Sequence, residues 1–332
     1  LLQSNDDLES VDLSSLQTVG STLYLYQNPY LTEVLLPSLE TVGSTFYLDA
    51  NQSLESMSLD ALSSLGGSFY LYNNDGMQSM EAPILESING TFSLEYNDEL
   101  TDFSMPSLET VAGQLYLYNN TRLEQVDLSS LVSMSSGLYV QQHDALTSVD
   151  FSSLEYVGSS FYFYNNDDLE SLDFPSLTEI NGQLTLSYHD RLLSFSAPLL
   201  STLSSSLYIQ ENSDLTSIDL SSLTCVEDYN IEGNDLSEDD QYNLLVQLTC
   251  SSEGSLVVFS TENADDFCDA GETSVIELYI NATGTDTIDL SCITEVTGSL
   301  EIENSDAPSV DLSSLLSIGE DLLMTYNDDL ES

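Results

Sequence analysis

Basic residues are almost missing from this chain: Lys and Arg together number 2, against 57 Asp and Glu, for a formal net charge of −55. Two cations cannot neutralise so many carboxylates. The acids must therefore sit on the outside, because an unpaired buried charge is too costly. Nucleic acid is excluded as a partner, since phosphate neutralisation needs Lys and Arg. Anionic membrane surfaces are excluded for the same reason. What remains is cations, basic proteins, neutral glycans, or a second copy bridged by cations. Trp is absent and His occurs only twice. No apolar run is long enough to span a bilayer, so no transmembrane segment is expected. The chain starts at Leu1 without an initiator Met, and so reads as a processed product or a fragment.

The same scarcity argues against an enzyme. Acid–base chemistry on a polysaccharide needs a positioned carboxylate pair and, usually, a cation for charge stabilisation. Only Arg122, Arg191, His143 and His189 are at hand, each in an ordinary repeat position. No Ser/His/Asp constellation, phosphate loop or metal cluster stands out, and no cofactor is required.

Cysteine is sparse and clustered: Cys225, Cys250, Cys268 and Cys292 all lie in the last third. An even count without short CxxC pairs suits two disulfides better than a zinc site. N-glycosylation sequons occur at Asn51, Asn89, Asn119 and Asn281. Sequons, disulfides and few cations together point to an oxidising, extracellular setting. A halophile's acidic surface is the rival explanation for the charge.

Against these absences stands an internal repeat. TLYLYQNPYL at Thr22 recurs as TFYLDANQSL at Thr45, SFYLYNNDGM at Ser68, TFSLEYNDEL at Thr91 and QLYLYNNTRL at Gln114. It continues as GLYVQQHDAL, SFYFYNNDDL, QLTLSYHDRL and SLYIQENSDL, always 23 residues on and without an insertion. Seven positions per rung stay apolar, represented first by Leu23, Leu25, Leu31, Val34, Leu36, Leu39 and Val42. Leu23/Leu25 and Val34/Leu36 alternate with outward residues at the strand period of two. Pro37, Pro83, Pro106, Pro175 and Pro198 share one position, which marks a corner or strand end because proline cannot donate a ladder bond. The pattern predicts a mainly β, right-handed parallel solenoid of the leucine-rich-repeat type, with two or three short strands per turn and rungs about 4.8 Å apart.

Regular rungs are expected over 1–234. An irregular, disulfide-associated insertion occupies 235–273, with a short helix capped by Ser237. The solenoid resumes over 274–332, one continuous coil overall. SNDDLES at 4–10 returns as YNDDLES at 326–332, a whole number of 23-residue periods away. The two ends are thus in phase and neither carries a cap, which suggests a longer array or head-to-tail stacking.

Residues 127–168, DLSSLVSMSSGLYVQQHDALTSVDFSSLEYVGSSFYFYNNDD, resemble receptor L-domains and the related anchored fungal cell-wall proteins. The resemblance extends over nearly the whole chain. It implies a solenoid with a stacked Asn in each turn, serving as a ligand-binding ectodomain or a wall component. The departures are the acidity, the regular period and the missing end caps.

Three outward or corner columns are candidate sites. The ladder position reads Asn28, Asn51, Asn74, Asn97, Asn120, His143, Asn166, His189 and Asn212. Its side chains are expected to bond the turn backbone and one another; a buried Asn51 would conflict with its sequon. His143 and His189 lie two rungs, about 10 Å, apart and cannot share a metal. Tyrosines form an interaction face: Tyr24, Tyr47, Tyr70, Tyr116, Tyr139, Tyr162 and Tyr208, with Tyr26, Tyr72, Tyr118 and Tyr164 on alternate rungs. Their surroundings read either as an exposed sheet stabilised by cross-rung stacking or as an amphipathic face for another chain or a sugar. Asp127, Asp150, Asp173 and Asp219 form a stripe that reads as a solvated acidic face or as a weak, distributed cation stripe, calcium being the natural candidate.

The expected role is a non-catalytic extracellular structural or surface protein of a fibre, wall, sheath or appendage, self-associating or repeating end to end, with cations bridging its acidic face. The alternative is a ligand-binding ectodomain or adhesin that recognises an extracellular protein or glycan on its tyrosine face.

Overall fold

In a computed structural model, the described residues are 1–224, 226, 228–248, 256–258, 274–275, 278–280, 288–303, 309–319 and 322–325. The chain is a parallel β-solenoid of about 11 turns with a spacing of about 23 residues. It divides into two compact units, Leu1–Asp235 and Leu236–Ser332.

In the first unit the nine rungs from Leu2 to Leu203 carry three strands each. The second complete rung shows the plan: Phe46–Asp49, Ser56–Ser58 and Ser64–Leu65. Nine four-residue strands, flanked by Leu2–Gln3 and Tyr229–Asn230, stack into one eleven-stranded parallel sheet. The register is in phase, as in Phe46↔Phe69↔Phe92↔Leu115. The two-residue strands form a nine-stranded sheet, and the three-residue strands form ladders of two, five and three strands.

The corners follow from local chemistry. Ladder Asn28 opens a turn closed by Leu31 N–H donating to its carbonyl at 3.1 Å. Pro37 sits at the second position of the next turn, where Leu39 N–H donates to Leu36 O at 3.1 Å. Proline's fixed φ suits that position. The proline column is therefore a corner, as its missing N–H implies.

The seven inward positions fill the core. Over nine rungs all are buried except Val149, Leu203 and Ile218, which are half-buried. Phenylalanines pack edge to face inside, between rungs as in Phe46–Phe69, with ring centroids 4.9 Å apart, and within one rung as in Phe161–Phe174, 4.8 Å apart. Apolar columns kept in phase bury each rung on its neighbour, so stability is shared between adjacent rungs.

In the second unit, helix Glu238–Leu248 begins where the sequence places it. Ser237 Oγ accepts the Asp240 N–H at 3.1 Å and donates to the Asp240 carboxylate at 2.6 Å, a reciprocal N-cap. Strands Leu256–Val258, Leu278–Ile280, Leu300–Glu303 and Leu322–Thr325 form a four-stranded parallel sheet. Its register, Leu256↔Leu278↔Leu300↔Leu322, has a period of 22 residues, one shorter than the first unit's. Part of the stretch expected to be irregular thus contributes a strand. Val275, Leu278, Leu290, Ile293, Val296 and Leu300 form a buried cluster in this unit.

Candidate functional site: the tyrosine face and the buried ladder beside it

The outer face of the eleven-stranded sheet carries the tyrosines, because alternation points Leu23 and Leu25 inward and Tyr24 and Tyr26 outward. The strand tyrosines from Tyr24 to Tyr164 are half-buried and lie against neighbouring rings. Tyr24 and Tyr47 stack with centroids 4.6 Å apart and planes 9° from parallel. Tyr47 also meets Tyr70 at 5.9 Å and Tyr72 at 5.8 Å. Farther along, Tyr116 meets Tyr118 at 5.7 Å and Tyr139 at 5.8 Å. Tyr139 meets Tyr162 at 6.2 Å, and Tyr162 meets Tyr164 at 5.9 Å.

Two residues complete the face that the strand columns alone do not reveal. Where the outward columns hold Ser93/Glu95 and Thr185/Ser187, the tyrosine is displaced by one position, to Tyr96 and Tyr188. Tyr96 folds onto Tyr118 and Tyr188 onto Tyr164, both at 5.3 Å. Ser93, Thr185 and Ser187 are buried beneath their neighbours. The signal is in the repeat alignment, where EYND and SYHD replace YNND. The result is two ring networks: Tyr24 to Tyr72, and Tyr96 to Tyr188. Tyr208 stands apart, its hydroxyl donating to Asp228 Oδ2 at 2.5 Å.

Five of the phenols are raised above the ordinary tyrosine range. Burial raises Tyr47, and the Asp49 carboxylate that accepts its hydroxyl at 3.0 Å raises it further. Tyr72 is pushed up to about 12, chiefly by burial. Tyr96, Tyr116 and Tyr162 are raised, with burial as the leading cause. The face therefore presents ring edges and hydroxyl donors interrupted by the carboxylates of Asp49 and Glu95.

Directly beside the sheet runs the ladder. All nine of its side chains are fully buried. Asn51 Oδ1 accepts the Asn28 N–H at 3.3 Å, and Asn74 Oδ1 accepts that of Asn51 at 3.2 Å. Asn51 Nδ2 donates to Leu25 O, Asp49 O and Asn74 Oδ1, each at 3.2 Å. A glycan on Asn51 is therefore incompatible with the folded rung, and the sequon reading fails there. Asn89 is exposed, Asn119 is half-buried, and Asn281 lies outside the described residues.

At His143 and His189 the imidazole Nδ1 accepts the N–H of Asn120 at 3.3 Å and of Asn166 at 3.1 Å. Each Nε2 is buried without a hydrogen bond of good geometry. Burial pushes both imidazoles down to about 4, so they are neutral at pH 7.

The aspartate stripe has a local use. Asp127, Asp150 and Asp219 accept the N–H of Ser129, Ser152 and Ser221 at 3.1, 3.0 and 3.1 Å. These are Asx turns. Asp173 is followed two residues later by Pro175, which has no N–H to give. Among the described residues no group of three or more His, Cys, Asp or Glu is gathered for a metal ion. Arg122 pairs with Glu99, and Arg191 with Asp168 at 2.9 Å, each one rung away. Cys292 is disulfide-bonded, and Cys225, Cys250 and Cys268 lie outside the described residues.

Comparison with protein-family models, curated proteins and solved structures gave no match to this chain.

Proposed function

We propose that this chain is a non-catalytic extracellular surface protein, a component of a wall, sheath, fibre or appendage, and that the tyrosine-lined sheet is its contact face. The observation that carries this reading is the contrast between that face and the rest. Half-buried phenols run rung after rung along one sheet, on a chain of net charge −55. Tyrosine offers apolar area with a polar tip, which suits a surface that is wet when free and covered when assembled. The exposed sequon at Asn89 and the bonded Cys292 support an oxidising, extracellular setting. The resemblance to receptor L-domains and fungal wall proteins belongs to the same reading. Neighbouring copies would meet through bridging cations, calcium first, because bare carboxylate surfaces repel.

The test is electron microscopy of natively purified material, with and without a calcium chelator, beside intact mass. Ordered assemblies that dissolve in chelator support the proposal. Compact single particles in both conditions overturn it and favour a ligand-binding ectodomain. That second reading draws on the hydroxyl donors along the face, which fit a neutral glycan or an extracellular protein bound one to one.

A further inference from the structure

We infer that the tyrosine face is an oxidative modification site, at which Tyr24 and Tyr47 couple to dityrosine across adjacent rungs. Three observations place the chemistry there. The two rings stack with centroids 4.6 Å apart and planes 9° from parallel, the tightest tyrosine pair on the face. Their main chains are neighbours in the sheet, Tyr24↔Tyr47, so both rings rise from paired positions on adjacent strands. The Tyr47 hydroxyl donates to Asp49 Oδ2 at 3.0 Å, which puts a base on the proton that phenol oxidation releases.

The composition of the chain channels oxidising equivalents toward this face. Trp, the usual competing aromatic donor, is absent. Met57, Met77, Met80, Met105 and Met134 are buried in the core. The half-buried tyrosines, by contrast, reach the surface along the face. Tyr70 and Tyr72, 5.9 and 5.8 Å from Tyr47, extend the network over which a radical can migrate.

The oxidant is hydrogen peroxide acting through a haem peroxidase. Each phenol loses one electron to the peroxidase and one proton, that of Tyr47 by way of Asp49. The two phenoxyl radicals join through a carbon–carbon bond between ortho carbons, and each ring regains its hydroxyl by shifting the ortho hydrogen to oxygen. Two tyrosines and one peroxide thus give one dityrosine and two waters. This chemistry needs only the ring geometry, and it holds whichever partner the face meets.

The competing outcome is coupling by exposure alone. Tyr30, 62% exposed and outside both ring networks, is more open than any tyrosine of the two networks. Random coupling would join copies through it, although like charge keeps copies apart at low salt.

The experiment treats the full chain with peroxide and a haem peroxidase at low salt. Readouts are dityrosine fluorescence, intact mass, and peptide mapping with a protease that cuts at acidic residues. The expected product is a monomer lighter by two hydrogens, in which the peptides carrying Tyr24 and Tyr47 are joined. Y47F should lose that linked peptide while keeping the β circular dichroism of the parent, and Y30F should keep it. Dimers joined through Tyr30, fluorescence undiminished in Y47F, or tyrosine consumption without dityrosine would each overturn the inference. Failure of assembly in microscopy leaves it intact, so the two proposals fall separately.

Discussion

Asn120 Oδ1 accepts both the main-chain N–H of Asn97, at 2.9 Å, and its Nδ2, at 3.1 Å, one rung away. Asn120 Nδ2 in turn donates to Leu94 O at 3.0 Å. One side chain thus satisfies a buried donor in the next strand corner and a buried acceptor in the sheet. Because both groups are sealed from water, removing it leaves them unpaired.

Asn120→Ala should therefore destabilise the chain by about 2–5 kcal/mol, the cost of orphaning two or more buried polar groups. Asn119→Gly, one residue away on the solvent side at φ +50°, should change stability little. Chemical denaturation of both variants checks this. Equal effects at the two positions would mean that the ladder does not stabilise the rung.

The residue before each ladder position has a positive φ in every rung of the first unit: Ser4, Gln27, Ala50, Asn73, Tyr96, Asn119, Gln142, Asn165, Tyr188 and Glu211. A left-handed residue re-aims the chain so that the next side chain enters the ladder. Asn tolerates this conformation, whereas Ala does not favour it. Ala50→Gly should stabilise the chain by about 0.5–1 kcal/mol, strain relief less glycine's added chain entropy. Ala50→Val should destabilise it, because a β-branched side chain fits this region worst. The ordering of the three thermal midpoints, Gly above Ala above Val, is the check.

These two features differ in how far the sequence reveals them. The ladder is legible because its chemistry admits few side chains, and Asn or His recurs at each step. The left-handed position is not, because Gln, Ala, Asn, Tyr and Glu occupy it and only the backbone is constrained. The inward columns are legible through their period, since a slip would turn every side chain to the wrong face. Tyr96 and Tyr188 escaped column reading because their rings cross from one position to the next. The aspartate stripe was legible as a stripe but ambiguous in purpose, since the same column serves a turn through D-x-S and a cation through its charge.

The two ladder histidines make a pH prediction with a definite sign. Burial lowers both imidazoles from an ordinary 6.5 to about 4. The unfolded chain therefore binds protons first, and the stability held at neutral pH is lost as pH falls from about 6.5 toward 4. Each histidine contributes up to about 3 kcal/mol to that loss, because a tenfold weakening of proton affinity on folding is worth about 1.4 kcal/mol. The H143N/H189N pair restores a neutral amide at both steps. It should remove this slope, and should gain stability at pH 7 because an amide Nδ2 can reach the carbonyl that Nε2 does not. Unfolding curves for parent and variant at a series of pH values decide it, and parallel curves would refute the account.

Stacked carboxylates act in the opposite direction. Asp167 is raised above the ordinary carboxylate range by burial first, then by repulsion from Asp190, Asp144 and Asp168. Asp75 is raised by burial and by Asp98, one rung away. A raised carboxylate binds its proton more readily folded than unfolded, so stability is gained as pH falls through the folded pKa toward 3.8. Asp167→Asn should accordingly raise the unfolding midpoint at pH 7 and low ionic strength. Salt screens the repulsive part and leaves the burial part, so the gain should shrink with added salt without vanishing. Divalent and monovalent salts matched in ionic strength separate screening from binding. Equal gains in both would leave screening as the whole effect of added cations. A larger gain with calcium, lost on chelation, would mean that the column holds the ion that the proposed assembly requires.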